Sequence, residues 1–175
     1  MFVCLFSIKK EMGKVIVTGG TGYIGSHTVV ELQNGGFEVL IIDNLSNSSV
    51  EVLTGIETIT GIRPPFENLD CLDYVGLDRL LSKNEGVEAI IHFAASKAVG
   101  ESVEKPLLYY RNNLVSLMNL LELMPLHDIK NIVFSSSCTV YGQPDVLPVS
   151  ETAPIKPAMS PYGNTKQICE ESIHD

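Results

Sequence analysis

Short, nearly continuous apolar runs alternate along this chain with longer stretches of mixed polarity. Lys14-Val15-Ile16-Val17-Thr18, the residues 38–42 (Glu-Val-Leu-Ile-Ile) and 89–93 (Ala-Ile-Ile-His-Phe) are rich in β-branched residues and only five long. Runs of this kind read as strands buried on both faces. Residues 66–70 and 131–134 give two further strands. Between them the spacing predicts helices: one following Gly25, one over 74–84, one over 107–124 with Leu114, Leu117, Met118 and Leu121 at helical intervals, and one opened by Pro161. Proline is tolerated at a first helical position because the N–H it lacks would be unpaired there anyway. Strand and helix in strict alternation predict an α/β fold with a parallel, doubly wound sheet. Residues 143–157, with prolines at 144, 148, 154 and 157, read as one long loop. No internal repeat or low-complexity tract interrupts the alternation.

Composition narrows the class. A chain of 175 residues with 45% apolar content can bury a core as one domain, and is not disordered. A net charge of −9 argues against nucleic acid and anionic membranes as partners. No apolar run approaches membrane length. Cys4, Cys71, Cys138 and Cys169 are scattered without metal-ligand spacing, so reduced thiols in the cytoplasm are expected, and no metal site. Cys71 and Cys138 are expected to be small core residues, and His92 a hydrogen-bonded core histidine. Met1 to Phe6 is apolar but lacks a basic flank and a small-residue cleavage site, so it is not read as a signal peptide. Met12, just ahead of the first strand, is a candidate natural start. The domain is accordingly set at 12–175, with 1–11 as an N-terminal extension.

The first strand runs into Gly19-Gly20-Thr21-Gly22-Tyr23-Ile24-Gly25 and then into a helix. Glycines at 19, 22 and 25, in a strand–turn–helix context, form a dinucleotide-binding fingerprint. They let backbone approach a pyrophosphate seated on the helix N-terminus. Strand two ends on Asp43, 18 residues beyond Gly25, where an acidic residue accepts hydrogen bonds from the adenosine ribose. The carboxylate repels a 2′-phosphate, and Asn44-Leu45-Ser46-Asn47-Ser48 offers no cation to hold one. NAD is therefore favoured over NADP. Ligands of such sheets lie at the carboxyl ends of the strands, here Ala94-Ala95-Ser96-Lys97, Ser135-Ser136-Ser137 and Asp70-Cys71. Finally, Tyr162 and Lys166 are four apart on a helix and share one face. A lysine ammonium beside a phenol favours the phenolate, which suits the tyrosine to act as a base.

Taken together, Thr18 to Gly25, Asp43-Asn44, His92 to Ser102, Phe134 to Gly142 and Tyr162 to Lys166 resemble the UDP-hexose 4-epimerases of the extended short-chain dehydrogenase/reductase family, from about Lys14 to the last residue. The resemblance implies a Rossmann-type NAD-binding fold, here incomplete at its C-terminus. By position it implies Tyr162 as catalytic base, Lys166 as its partner and holder of the nicotinamide ribose, and Ser137 as hydrogen-bonding the sugar O4. It implies NAD contacts at Gly19, Gly22, Tyr23, Ile24, Gly25, Asp43, Asn44, Leu45, Ser46, Asn47, Ser48, Asp70, Cys71, Phe93, Ala94, Ala95, Ser96, Lys97 and Asn112, with Ser137, Tyr162 and Lys166. Substrate contacts fall on Ser137, Tyr162 and Lys97.

The chain departs from the family pattern at two places: Ala95-Ser96 stands where many members carry Gly-Leu, and Cys138 where they carry Ala. Both replacements are small and bear on substrate preference, not on the cofactor. The implied reaction is epimerisation at C4 of a UDP-hexose through a transient 4-keto sugar, with NAD regenerated. A nucleotide-sugar 4,6-dehydratase is disfavoured, because Cys138-Thr139 replaces its acid–base carboxylates. Members of the family are much longer, so the sixth strand and substrate domain are expected to be missing. That makes the chain alone inactive, with a non-catalytic NAD-binding fragment as the rival reading. The full-length enzyme is expected to be a homodimer, through helices around 107–124 and 161–174, whose apolar stripes fit core equally well.

Overall fold

The structure is a computed structural model that describes residues 12–175. The proposed extension 1–11, Cys4 included, lies outside the described residues.

Five strands form one parallel sheet in the order β3-β2-β1-β4-β5. They are β1 (Met12–Thr18), β2 (Phe37–Asp43), β3 (Phe66–Asn68), β4 (Val87–His92) and β5 (Asn131–Phe134). Register pairs Ile16 with Leu40 on one side of β1 and with Ile90 on the other. Successive side chains of a strand point to opposite faces, and both faces are covered. Ile16, Leu40, Ile42 and Ile90 pack with Leu77, Leu80 and Leu81 of α3 (Tyr74–Lys83) and Leu120 and Leu123 of α5 (Pro106–Leu123). Val15, Val17, Val39 and Ile41 face the other way, onto Val29 of α1 (Tyr23–Asn34) and Leu53 and Ile56 of α2 (Val52–Thr60). Double coverage is why these strands read as unbroken apolar runs. The remaining helices are α4 (Val99–Glu104) and α6 (Pro161–His174).

Helix starts follow local chemistry. Asp73 caps α3 by accepting from Gly76 N at 2.9 Å, and Ser160 caps α6 by accepting from Gly163 N at 3.1 Å. Pro106 and Pro161 occupy the first turns of α5 and α6.

The structure differs from the sequence reading in three places. Two short helices, α2 and α4, lie in stretches to which the sequence pattern assigned no element. The inward face of α5 is not the stripe 114, 117, 118 and 121. It carries Tyr109, Asn113, Ser116, Leu117, Leu120 and Leu123, while Met118 is 43% exposed. Polar Asn113 and Ser116 on that face obscure its apolar period. Cys138 is exposed and not a core residue. It opens a single 3-10 turn, Cys138–Tyr141, that carries the chain off the end of β5, and at such a turn a side chain can point outward. Cys71 and Cys169 are buried, as is His92.

Candidate functional site

The carboxyl ends of the strands open into a crevice of about 890 Å³. Its floor is set by the glycine turn. Gly19 has φ +71°, a region that glycine enters without a side-chain clash. A Cβ there would stand 2.7 Å from Ala94 N, and one on Gly25 would overlap the Gly19 carbonyl oxygen. Only without those side chains can α1 begin hard against the end of β1. Gly22 is the N-cap of α1, with no side-chain cap, and no acidic residue occupies its first turn. The N–H groups of Tyr23, Ile24 and Gly25 therefore have no intrahelical acceptor. Together with the helix dipole they make a seat for an anion.

Asp43 borders the same crevice from the tip of β2 and is 9% exposed. Its Oδ1 accepts from Leu45 N at 2.9 Å and Ser48 Oγ at 3.1 Å, and its Oδ2 accepts from Thr21 N at 3.2 Å. A carboxylate has about four acceptor positions, so one on Oδ2 remains for a ligand hydroxyl. Thr21 and Ser48 are also joined hydroxyl to hydroxyl at 2.8 Å. The loop after β2 is thus tied to the glycine turn through one carboxylate. Next to it, Asn44 Nδ2 donates to Asp70 Oδ2 at 2.9 Å, linking the ends of β2 and β3.

The wall after β4 is Phe93 to Lys97, held from behind by α5. Asn113 accepts from Ser96 N at 2.8 Å and donates to Ser96 O at 3.0 Å and to Thr165 Oγ1 at 3.0 Å. Asn112 Nδ2 donates to Ser96 Oγ at 3.1 Å. Tyr109 accepts from Ala98 N at 3.1 Å and donates to Glu101 Oε2 at 2.9 Å. Its ring meets that of Tyr162 edge-on, with centroids 6.5 Å apart. Through Asn113 and Tyr109, α5 therefore fixes both the β4 loop and α6.

Tyr162 and Lys166 both line the crevice and are 9% and 3% exposed. Lys166 Nζ donates to the Ser135 carbonyl at 2.7 Å and lies 4.5 Å from the centroid of the Phe134 ring. Burial pulls its ammonium down to about 8, against the nearby Cys169 and Glu170, which act to raise it. Behind it His92 stacks on Phe134, centroids 6.0 Å apart, and shares a 2.6 Å hydrogen bond between Nδ1 and Thr18 Oγ1. Burial, helped by the Lys166 charge, lowers His92 to about 3, so it is neutral at ordinary pH. Burial, then the neighbouring Asp70 and Asp43, push the Cys71 thiol up to about 12, which leaves it inert.

Most residues singled out from the sequence converge here. Gly19, Gly22, Tyr23, Ile24, Gly25, Asp43, Asn44, Ser46, Asn47, Ser48, Asp70 and Cys71 line one half. Phe93 to Lys97, Asn112, Tyr162 and Lys166 line the other. Leu45 and Ser137 do not line it. Leu45 supplies only its N–H to Asp43, from a φ of 57°. Ser137 lies one step past the lining residues Ser135 and Ser136, and its Oγ accepts from Thr139 N at 3.3 Å and Thr139 Oγ1 at 3.0 Å. Residues the sequence reading passed over are Thr21, Glu101, Tyr109, Asn113, Ser116 and Phe134. A polar pair such as Asn112-Asn113 inside an otherwise apolar helix was the available signal for Asn113. Among the described residues no cluster of three or more His, Cys, Asp or Glu could hold a metal ion, and no helix is long and apolar enough to cross a membrane.

Chemically, the crevice offers an anion seat at its middle, a carboxylate on one side and a phenol with an ammonium on the other. Those features fit a dinucleotide with one reacting end. Comparison with known proteins agrees. Residues 15–175 match the model of the NAD dependent epimerase/dehydratase family. The chain is 51% identical over 161 residues to the UDP-glucose 4-epimerase of Bacillus subtilis, covering 92% of this chain and 47% of that protein. It is 50% identical over 168 residues to the human UDP-glucose 4-epimerase, covering 93% and 48%. Among solved structures, the Bifidobacterium longum UDP-glucose 4-epimerase in complex with NAD+ and UDP superposes with a TM-score of 0.90 at 44% identity, over 93% of this chain and 48% of that one. The chain spans about half the length of the relatives it matches.

Proposed function

We propose that this chain, which belongs to the NAD dependent epimerase/dehydratase family, carries the cofactor-binding and proton-handling half of an epimerase acting at C4 of a UDP-hexose. The observation that carries the reading is the meeting of Tyr162 and Lys166 with the glycine turn and Asp43 on one crevice. The names of its relatives give the substrate class.

In this reading the residues lining the crevice would hold NAD, which would supply the reversible hydride chemistry at C4 of the sugar. The chain supplies position and charge. The free N–H groups of Tyr23, Ile24 and Gly25 hold the pyrophosphate. The open acceptor position on Asp43 takes an adenosine ribose hydroxyl, and its charge, beside Asp70, rejects a 2′-phosphate. Tyr162 takes the proton from the sugar O4 and gives it back after the sugar has turned over. Lys166 holds the ribose next to the reacting ring, one helical turn along α6 from Tyr162. Lys97, exposed at the crevice mouth, takes a substrate anion, and Ser137 hydrogen-bonds the sugar O4 once its Oγ leaves Thr139, since it does not line the crevice as it stands. The domain runs over 12–175, and the full enzyme is a homodimer. Alone, the chain binds cofactor without turning over, because a closed, dry site needs more wall than this crevice has.

Binding of NAD+ and NADP+ to residues 1–175 by calorimetry tests the cofactor assignment. NAD+ should bind at least tenfold more tightly, and equal affinity would overturn it. Conversion of UDP-galactose to UDP-glucose by residues 1–175 alone would overturn the claim of inactivity. In the turnover-competent enzyme, Tyr162→Phe should lower kcat by about 10²–10⁴-fold with NAD+ binding retained. Turnover near that of the parent would remove Tyr162 from the role of base.

A further inference from the structure

The Tyr-x-x-x-Lys pair accounts for what Lys166 does, but not for how a lysine only 3% exposed keeps a charge. Burial disfavours an ammonium, and no carboxylate forms an ion pair with it among the described residues. Two groups face it instead, both from the end of β5. The Ser135 carbonyl accepts one of its three N–H bonds at 2.7 Å, and the face of Phe134 lies 4.5 Å away.

We propose that Phe134 is a positioning residue: its ring face and the Ser135 carbonyl together hold the Lys166 ammonium, charged and aimed, at the crevice wall beside Tyr162. The proposal rests on the assignment of Lys166 to the reacting end of the crevice. Its test does not depend on turnover.

The geometry suits the task. An aromatic face attracts a cation within about 6 Å of its centroid, most strongly when water is excluded. The carbonyl takes only one of the three N–H bonds of Nζ, and Lys166 itself lines the crevice. The ring is itself held. His92 stacks on Phe134 at an interplanar angle of 23°, and Thr18 fixes His92 through Nδ1. A neutral imidazole behind the ring adds no repulsion, and His92 is kept neutral by burial. The other titratable groups around Lys166 are Tyr162, Cys169 and Glu170 on its own helix and His92 on β4, with Tyr109 of α5 packed against Tyr162. Cys169 is a neutral thiol, pushed up to about 11 by burial. None of these replaces the ring as a close partner. An aliphatic side chain at 134 would fill the space and leave the ammonium with one carbonyl.

The experiment is a pH titration of Lys166 in residues 1–175, followed by ¹³Cε NMR of labelled lysine, with its signal assigned by its absence in Lys166→Met. In the parent the titration falls below the ordinary lysine value, near 8. Phe134→Leu should lower it by a further ~1 unit, and Phe134→Tyr should restore it to within about 0.3 unit. Unfolding moves the signal the other way, toward ~10.4, so it cannot imitate the effect. Should Phe134→Leu unfold, fluorinated phenylalanines placed at 134 decide the matter. They keep the ring's shape while draining charge from its face, and each added fluorine should lower the Lys166 pKa further. A titration unmoved by fluorination, or in folded Phe134→Leu, overturns the proposal. Loss of NAD+ binding by the parent would overturn the cofactor assignment and leave this result standing, so the two failures are distinct.

Discussion

Replacing His92 with Asn should remove much of the acid sensitivity of the fold. His92 is 2% exposed and titrates near 3, whereas in the unfolded chain it titrates near 6.5. Its folded value is depressed, so its contribution is fully present above pH 6.5 and is lost as the pH falls toward 3. Between those values the unfolded chain holds one more proton than the folded one. Folding free energy then erodes by about 1.4 kcal/mol per pH unit. The full window of 3.5 units (6.5 − 3) corresponds to roughly 5 kcal/mol. That approaches the whole stability of a small domain. The cause is burial first and the Lys166 charge second, so no local rearrangement short of exposing the ring escapes it.

Asparagine can place a polar atom near Nδ1 and retain the contact to Thr18, but it cannot titrate. His92→Asn should therefore be less stable than the parent at pH 7.5, since it leaves a cavity over Phe134. The deficit should shrink by about 2.7 kcal/mol at pH 4.5, two units below the unfolded histidine value. Urea unfolding of both proteins at the two pH values measures it. Carboxylates that destabilise the fold in acid are common to both chains and cancel in the comparison. If the deficit stays constant to within about 0.7 kcal/mol, about a quarter of the shift expected from the linkage, His92 is not held neutral by the fold and the reasoning fails.

Two further outcomes follow from the crevice. Gly25→Ala forces a methyl into the Gly19 carbonyl; the start of α1 must move, destabilising the chain by about 1–3 kcal/mol and weakening NAD+ binding tenfold or more by calorimetry, and unchanged binding would show that the turn tolerates a side chain. Asn113→Ala leaves the Ser96 N–H and carbonyl without their side-chain partner and strips Thr165 of the bond it accepts, leaving it only the one it donates to the Tyr162 carbonyl. It should lower stability by about 2–4 kcal/mol in urea unfolding, whereas Asn112→Ala, on the more exposed neighbour, should lower it by under about 1 kcal/mol; equal effects would deny Asn113 its bracing role.

The legibility of the fold divided along a physical line. Strands buried on both faces advertise themselves, because most of their positions must be apolar; β1, β2 and β4 were found within two residues of their ends, and β5, half exposed at the sheet edge, was legible from Ile132-Val133-Phe134 alone. The glycine turn was legible for the same kind of reason: Gly19 and Gly25 sit where backbone meets backbone, and nothing larger fits. The inward face of α5 was misread because it serves two masters. Its lower turns pack apolar side chains, and its upper turns present Tyr109, Asn112 and Ser116 to the crevice and brace it from beneath through Asn113. Helical periodicity sees the first and mistakes the second for solvent. α2 was invisible because its nine residues follow a polar loop and bury only Leu53 and Ile56. Cys138 was misjudged because the mean tendency of cysteine to be buried says nothing about a single turn leaving a strand.

The site shows a deeper limit of reading residues as ligands. Sequence position marks Asp43, Asn44, Ser48 and Ser96 as groups that would touch a cofactor, yet each is first a partner of its own chain. Asp43 uses both oxygens on Thr21, Leu45 and Ser48. Asn44 is bound to Asp70, and Ser96 to Asn112 and Asn113. These internal bonds are made before any ligand arrives, so they fix the spare acceptor and donor positions that a ligand then meets. Ordering several loops at the moment of binding would subtract their conformational entropy from the affinity. Here that ordering is part of folding, and the loops that follow β1, β2, β3 and β4 are braced to one another or to α5. The Tyr162–Lys166 pair follows the same rule. Lys166 is held by Ser135 and Phe134, and Tyr162 by the edge of Tyr109. Residues that never touch a ligand therefore set the geometry of those that do. Polar residues buried beneath a crevice, such as Asn113, mark its support as surely as glycines mark its floor.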